Sequence, residues 1–396
     1  MPLFAFGSNG SGQLGLGHTE DVSIPTTCVF DETPPEKCKI VRIAAGGNHT
    51  LVLFENGVIY AAGCNVDGRC GMSRSVVEGE DEVLRFKRVV VTAGDGDGDG
   101  HERRTYDTFK NVSATWEGTF LVASSSSQSE ASHDNDGDKV FALGSGSKGE
   151  LGLGTTTTTT TPTQIPHFPP RGTRIIFIAS GMGHTAAVLS NGDVYGWGGA
   201  RKGQLGEGAT KEQKVVWMPT RVEGVSFKAT DVACGREFTV VCGDKGRGEF
   251  VVLGSAVDKW GVVSGQPVLP AYDSIFAGWH GVYVHHHPHN HHKGDGFPSS
   301  SITAWGRNDR GQLPPADLPI VQKLAVGSEH ALALLDERAV AAFGWGEHGN
   351  CGPETDAQGN VNGRYNKIQI PSENGEKRAV VGIGAGCATS WIITDD

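Results

Sequence analysis

Apolar residues in this chain come in short bursts of four to six, set off by glycine and polar turns. Residues 50–54 form one burst and are followed by Asn56-Gly57; residues 185–189 form another and are followed by Asn191-Gly192. An Asn-Gly pair suits a two-residue hairpin, because both central residues of the turn need positive φ. Bursts rich in Val, Leu and Ala with such punctuation predict strands. A helical stripe of ten or more residues occurs nowhere, since glycine interrupts every candidate.

Two segments alternate along the chain. The first is Phe4-Ala5-Phe6-Gly7 followed by Ser8-Asn9-Gly10-Ser11-Gly12-Gln13-Leu14-Gly15; it returns at 141–152, 195–206 and 304–313, and more weakly at 60–71, 252–261 and 342–352. The second runs from Ile40 to Gly46 and on into His49-Thr50-Leu51-Val52-Leu53. It returns at 175–189, 229–241 and 321–335, with degenerate copies at 109–122, 274–284 and 380–393. Each therefore occurs seven times. A period of about 50 to 60 residues suits a four-stranded propeller blade. We label the Ala-Ala-Gly strand A, the His-Thr strand B, the strand ending in glycine C, and a weak outer strand D. The chain opens on a C strand and ends on A and B. The expected fold is all-β: one seven-bladed propeller over 1–396, closed by N-terminal outer strands joining C-terminal inner ones. Closure of this kind removes free strand edges.

Three stretches break the repeat and read as flexible insertions: 73–108, 124–138 and 285–300. Asp95, Asp97, Asp99 and Gly100 resemble the start of a calcium loop, but Tyr106 stands where the bidentate glutamate belongs. The cluster from His285 to His292 would take Ni²⁺ or Zn²⁺ in vitro, yet a glycine-flanked loop lacks the second shell of a structural site. The threonine run 155–161 reads as a linker within a blade.

Composition narrows the function. The formal net charge of −11 argues against general nucleic-acid binding, which needs basic surface. No apolar run reaches the ~18 residues of a membrane span, and the first residues lack the basic and apolar regions of a secretion signal. Eight scattered cysteines without a Cys-x-x-Cys pair read as buried thiols. Gly144-Ser145-Gly146-Ser147-Lys148-Gly149 matches a dinucleotide fingerprint in letters only, because no helix follows it. His49, His184 and His330 all open B strands, so they read as structural, each bonding neighbouring backbone. No nucleophile, base and orienter come together, and the expectation is no catalytic residue, no metal and no cofactor.

The alternation of strand, Gly-x-Asn-x-x-Gly-Gln-Leu-Gly turn, Ala-Ala-Gly strand and His-Thr strand resembles the regulator-of-chromosome-condensation repeat over almost the whole chain. The opening, Phe4 to Asp21 with a nearby Pro25, is closely similar to a fungal branch of that family, the α-tubulin-suppressor or killer-toxin-insensitivity propellers. That resemblance implies a scaffold paired with a small CSL-type zinc protein that carries electrons. The pair would support diphthamide synthesis on elongation factor two and Elongator-dependent modification of wobble uridine in tRNA, in the cytoplasm and also the nucleus. The diphthamide enzymes and Elongator would then be indirect partners. The alternative is a guanine-nucleotide exchange factor for a small GTPase, on fold alone.

A partner would meet the A–B and C–D turns, which share one face of a propeller. The C–D turns hold seven basic residues (among them Lys148, Arg201, Lys202, Lys259, Arg307 and Arg310) against five acidic ones. The A–B turns hold Arg236 against Glu117, Glu237 and Glu329, so the face is near neutral on an acidic chain. Trp116 and Trp279 replace the small residues of other A–B turns and are either interface anchors or the cap of the channel. Trp260 reads as more buried. The candidate partner-binding set is Trp116, Glu117, Arg201, Lys202, Arg236, Glu237, Trp260, Trp279, His280 and Arg310.

Overall fold

The computed structural model describes residues 1–72, 81–94, 103–124, 137–212, 214–286, 301–373 and 376–395. Among them, seven antiparallel sheets surround a central channel. Blade 1 comprises Ile40–Ala45, His49–Phe54, Ile59–Cys64 and Glu82–Arg88 as strands A to D. Blade 2 comprises Asn111–Ala114, Gly118–Ala123, Lys139–Ser145 and Thr158–Gln164. Blade 3 comprises Ile175–Ser180, His184–Leu189, Val194–Gly199 and Val215–Arg221. Blades 4 and 5 have three strands each: Asp231–Cys234, Thr239–Cys242 and Phe250–Leu253, then Ser274–Ala277, Gly281–His285 and Ile302–Gly306. Blade 6 comprises Lys323–Val326, His330–Asp336, Ala339–Trp345 and Asn360–Ile368. Blade 7 takes A and B from the C-terminal end, Val380–Ala385 and Thr389–Thr394, and C and D from the N-terminal end, Leu3–Gly7 and Val22–Thr27. Leu3 pairs with Ile393 and Gly7 with Thr389, so the ring closes as the order of segments along the chain requires.

The B strands explain why the sequence shows bursts instead of strict alternation. His49–Phe54, Gly118–Ala123, His184–Leu189 and Thr389–Thr394 are buried at every position. Each lies mid-sheet with a neighbouring blade packed on either face, so both faces are apolar. Trp197 illustrates the inter-blade core: its ring meets Phe120 at 5.3 Å and Phe168 at 5.5 Å, both from blade 2 and its outer loop.

The glycine ending each C strand has one steric cause. Gly7, Gly63, Gly144, Gly198, Gly306 and Gly344 all have φ between +96° and +117°. A Cβ there would lie 2.1 to 2.7 Å from the carbonyl oxygen that precedes the B strand. Only glycine tolerates both demands. In five of these six blades the C–D pairing shifts register at the same point, so the glycine also marks the bulge that turns the outer strand. Blade 4 has Gly254 there without positive φ, and it has no D strand among the described residues.

Three expectations about the insertions need correction. Segment 73–108 is not all insertion: Glu82–Arg88 is a D strand, and Val91–Gly94 pairs with Arg103–Tyr106 as a hairpin. The threonine run is no linker, because Thr158–Gln164 is the D strand of blade 2; β-branched residues fit an outer strand well. His285 closes a buried B strand, bonded through Nε2 to the Val321 carbonyl at 2.9 Å. His286 uses both ring nitrogens, with the Ala271 carbonyl and Thr303 Oγ1. These two imidazoles are therefore structural, and the break in the repeat begins after them. The acidic run Asp95 to Gly100, most of 124–138, and the rest of the histidine cluster lie outside the described residues. Among the described residues no group of metal-ligating side chains forms.

Candidate functional site

The repeat motif builds rigid C–D turns. In Asn-x-x-Gly-Gln-Leu the asparagine Oδ1 accepts the backbone N–H five residues on: Asn9 from Leu14, Asn65 from Cys70, Asn308 from Leu313. The glutamine Oε1 accepts the N–H two residues back: Gln13 from Ser11, Gln204 from Lys202, Gln312 from Arg310. These bonds hold the backbone in the turn, which leaves Lys148, Arg201 and Lys202 exposed, whereas Asp67 and Arg69 of blade 1 are buried against each other. Cys64 and Cys70 belong to one such turn, the Cys70 thiol donating to the Cys64 carbonyl at 3.2 Å, and all eight cysteines are free thiols.

The A–B turns form a girdle at the channel mouth. Gly47 N–H donates to the Trp116 carbonyl, Trp116 N–H to Met182, Arg236 N–H to Trp279, Trp279 N–H to Ser328, and Ser328 N–H to Gly386. Each bond joins one blade to the next. Beneath lies a cavity of about 720 Å³ lined by A strands of all seven blades. Trp116 of blade 2 and Trp279 of blade 5 meet over it, with ring centroids 5.8 Å apart and planes at 44°. Both are half-buried, so they cap the channel with one face and reach solvent with the other. This placement is that of a channel cap, and it leaves the outer faces of the rings open. Deeper in the channel Arg42 stacks on Phe177 at 4.3 Å, and its guanidinium donates to Asn111 and to the Ile178 carbonyl, tying blades 1, 2 and 3 together.

Six of the ten predicted site residues converge on one cleft. Trp116, Glu117, Arg201, Lys202, Arg236 and Glu237 line a cavity of about 600 Å³ between blades 2, 3 and 4. Lys148 and Lys214 complete it. Lys148 comes from the blade 2 turn, where Glu150 stands in the glutamine position and accepts the Lys148 N–H in the same way. Nothing in the repeat pattern points to Lys214, which sits just before the D strand of blade 3.

The other four form a ladder across blades 4, 5 and 6. Trp260, half-buried, lies between Lys259 at 4.3 Å and Arg307 at 5.1 Å. Arg236 stacks on Trp279 at 5.4 Å, which links the ladder to the cleft. Arg307 also holds Asp309 at 2.6 Å and the buried Glu329, and Arg310 holds Glu329 at 3.3 Å while lying over Trp345 at 5.5 Å. Burial, then the charges of Arg236 and Arg307, push the His280 imidazole below its ordinary pKa, so His280 is neutral among these cations. Trp345 and Arg307 belong to the ladder but not to the predicted set. Arg307 is legible as a C–D turn cation; Trp345 follows the C-strand glycine Gly344, donates through Nε1 to Glu347 and meets His348 within its own blade, and is reached by Arg310 from blade 5.

The B-strand histidines stay out of the site. His49 Nε2 meets Thr119 Oγ1, His184 Nε2 meets Thr239 Oγ1 and His330 Nε2 meets Ser390 Oγ, each at 2.9 Å and each on the next blade. Thr119 and Ser390 donate their own protons to the Arg69 and Asn350 carbonyls, so His49 and His330 must donate through Nε2. Their Nδ1 atoms are buried and bare. Burial pushes the three pKa values down to about 3, about 4 and about 4. The expected backbone acceptor is therefore corrected to a hydroxyl of the adjacent blade, and the structural role stands.

The fold has known counterparts. The chain is 29% identical to an RCC1 repeat-containing protein of Schizosaccharomyces pombe over 100% of its own length and 99% of that protein. It is 24% identical to the mouse secretion-regulating guanine nucleotide exchange factor, covering 97% of this chain and 82% of that one. Among solved structures, Prp20p of Saccharomyces cerevisiae superposes with a TM-score of 0.69 at 18% identity, covering 100% of this chain and 92% of that one. Human WBSCR16 superposes with a TM-score of 0.71 at 16% identity, covering both chains in full. The model of the RCC1-like domain matches residues 2–392, and this chain belongs to the RCC1-like domain family.

Proposed function

We propose that this protein is a non-catalytic binding platform whose A–B and C–D face docks a small CSL-type zinc protein. In that role it supports diphthamide synthesis on elongation factor two and Elongator-dependent wobble-uridine modification, in the cytoplasm and the nucleus. One observation carries the platform reading: on an acidic molecule, this face gathers Lys148, Arg201, Lys202, Lys214, Arg236, Lys259, Arg307 and Arg310 around four half-buried tryptophans. Tryptophan and arginine dominate interface hot spots, and complementary charge speeds and orients docking. The zinc carrier is the partner that the N-terminal segment's likeness suggests. Co-purification of the tagged chain with the recombinant zinc protein tests it; a mixture that elutes as two separate species on gel filtration at micromolar concentration would refute it.

A second reading has its own support. The mouse relative, matched over 97% of this chain, is named a guanine nucleotide exchange factor. Under that reading the same face would bind a small GTPase and release its nucleotide. Accelerated release of a fluorescent GDP analogue from a GTPase, with no binding of the zinc protein, would select it.

A further inference from the structure

We infer that the cleft between blades 2, 3 and 4 seats an extended acidic peptide segment of the docked partner, separately from the aromatic ladder on blades 4 to 6. This rests on the platform reading above and adds what one part of the platform recognises. Five cations line the cleft: Lys148, Arg201, Lys202, Lys214 and Arg236. None of them forms an ion pair among the described residues. Three arginines of the ladder and the inner turns behave differently: Arg69 is held by Asp67 at 2.6 Å, Arg307 by Asp309, Arg310 by Glu329, whereas Lys259 meets only the Trp260 ring among the described residues. Three glutamates line the cleft as well, Glu117, Glu150 and Glu237, and none pairs with these cations among the described residues. Glu150 takes the backbone N–H of Lys148, and Glu117 leans 3.7 Å from Arg69. Five cations against three glutamates leave the cleft two charges positive on a protein of net charge −11.

Its shape suits backbone as well as charge. Gly183 and Gly199 leave part of the wall without side chains, and Trp116 supplies an apolar face beside them. Lys148, Arg201 and Lys202 are exposed and free to meet carboxylates spaced along a chain. The interspersed Glu117, Glu150 and Glu237 penalise a uniform phosphate backbone, whose every unit is charged, more than a peptide with gaps between its carboxylates. An acidic peptide therefore fits better than a nucleic acid.

The test uses the full chain and a short fluorescein-labelled peptide of repeating Asp-Glu-Gly, with oligouridylate as the competing polyanion. Fluorescence anisotropy should show peptide binding that weakens with salt and oligouridylate binding that is weaker. The exposed pair Lys148→Glu with Lys202→Glu should lose at least about tenfold in peptide affinity. Arg338→Glu with Lys367→Glu, exposed and distant from the cleft, should change nothing. No peptide binding by the wild-type chain, equal binding by the cleft variant, or tighter binding of oligouridylate would each overturn the assignment. Co-purification with the zinc protein is measured on the same variants. Peptide binding without zinc-protein binding sinks the choice of partner and keeps the cleft. Zinc-protein binding that survives both cleft charge reversals sinks the cleft and keeps the platform.

Discussion

Five of the seven A–B turns of this ring fall into two kinds. Blades 1, 3 and 6 follow a small turn with His49, His184 or His330, and each imidazole reaches a hydroxyl of the next blade. Blades 2 and 5 put glycine at that place, Gly118 and Gly281, and a tryptophan two residues earlier. The first kind spends its polar group inside the wall, and the second presents a ring at the channel mouth. The three staples bind blade 1 to 2, 3 to 4 and 6 to 7. The tryptophans meet each other across the channel at 5.8 Å. Ring-holding and surface-building are thus assigned to different copies of one repeat, and degenerate repeats are where a partner surface can arise without loosening the circle.

The harshest way to probe the ring-holding class is at its seam. Deleting residues 1–17 removes the C strand of blade 7 and exposes the edge of Thr389–Thr394. Blades 4 and 5 manage with three strands, but the truncated blade 7 would keep two and lose its covalent clasp. The expected result is a melting temperature lower by more than about 10 °C and loss of cooperativity. A deletion protein that melts like the full chain would show that the ring is held elsewhere.

Acid should dissolve the staples together. Their imidazoles have folded-state pKa values of about 3 to 4, below the unfolded value near 6.5. The unfolded chain therefore takes up protons first as pH falls. The stabilisation from the neutral buried rings is complete above 6.5 and is lost as pH drops toward 4. Each ring contributes a slope of about 1.4 kcal/mol per pH unit, so three give about 4 kcal/mol per unit. Urea unfolding between pH 7 and pH 5 measures it, and a flat profile there would mean that the rings are not buried neutral. A single substitution, His184→Ala, isolates one staple: it removes a buried ring and leaves Thr239 without that partner, for about 2 to 4 kcal/mol. The same measurement on Trp116→Ala should give about 1 kcal/mol or less, since one face of that ring is already in solvent. If the tryptophan proves the costlier of the two, the division of labour is wrong.

How far the sequence discloses this follows from where each signal lives. The A, B and C strands are legible because their constraint lies within one blade: in blades 1, 2, 3, 5 and 6 the C-strand glycine answers to a carbonyl about 15 to 27 residues earlier, and B strands are apolar on both faces. The D strands are only partly legible. Thr158–Gln164 hides in a threonine run that looks like low complexity, and Glu82–Arg88 sits beside acidic sequence. Outer strands have one neighbour and much solvent, so composition constrains them weakly. The histidines show the same limit. Recurrence at one position marks them as structural, but the acceptor belongs to the next blade, and inter-blade register is not written in a single repeat. In the cleft, Arg201 and Lys202 are legible because they precede the Gly203-Gln204-Leu205 of a repeated turn, where Gln204 holds the backbone and both side chains are exposed. Lys214 is not, because it lies outside the repeated turn, and the place of Trp345 in the ladder is not, because Arg310 reaches it from the adjacent blade.

The gentlest test touches the surface class alone. Trp279 is half-buried, and Arg236 stacks on it at 5.4 Å without holding a carboxylate. Together they join the cleft to the ladder. Replacing both by alanine removes the stack and a cation from the cleft wall, while the Arg236 N–H bond to residue 279 and the Trp279 N–H bond to Ser328 are backbone bonds that alanine keeps. The girdle should therefore survive, with melting shifted by a few degrees at most. Affinity for the docked partner should fall by more than about tenfold, or about 1.4 kcal/mol. Isothermal titration with the zinc protein reads this directly. Unchanged affinity in a folded variant would move the interface off this face and leave the tryptophan pair as a channel cap alone. A variant that loses binding because it unfolds would instead merge the two kinds of turn into one, since the surface residues would then be holding the ring as well.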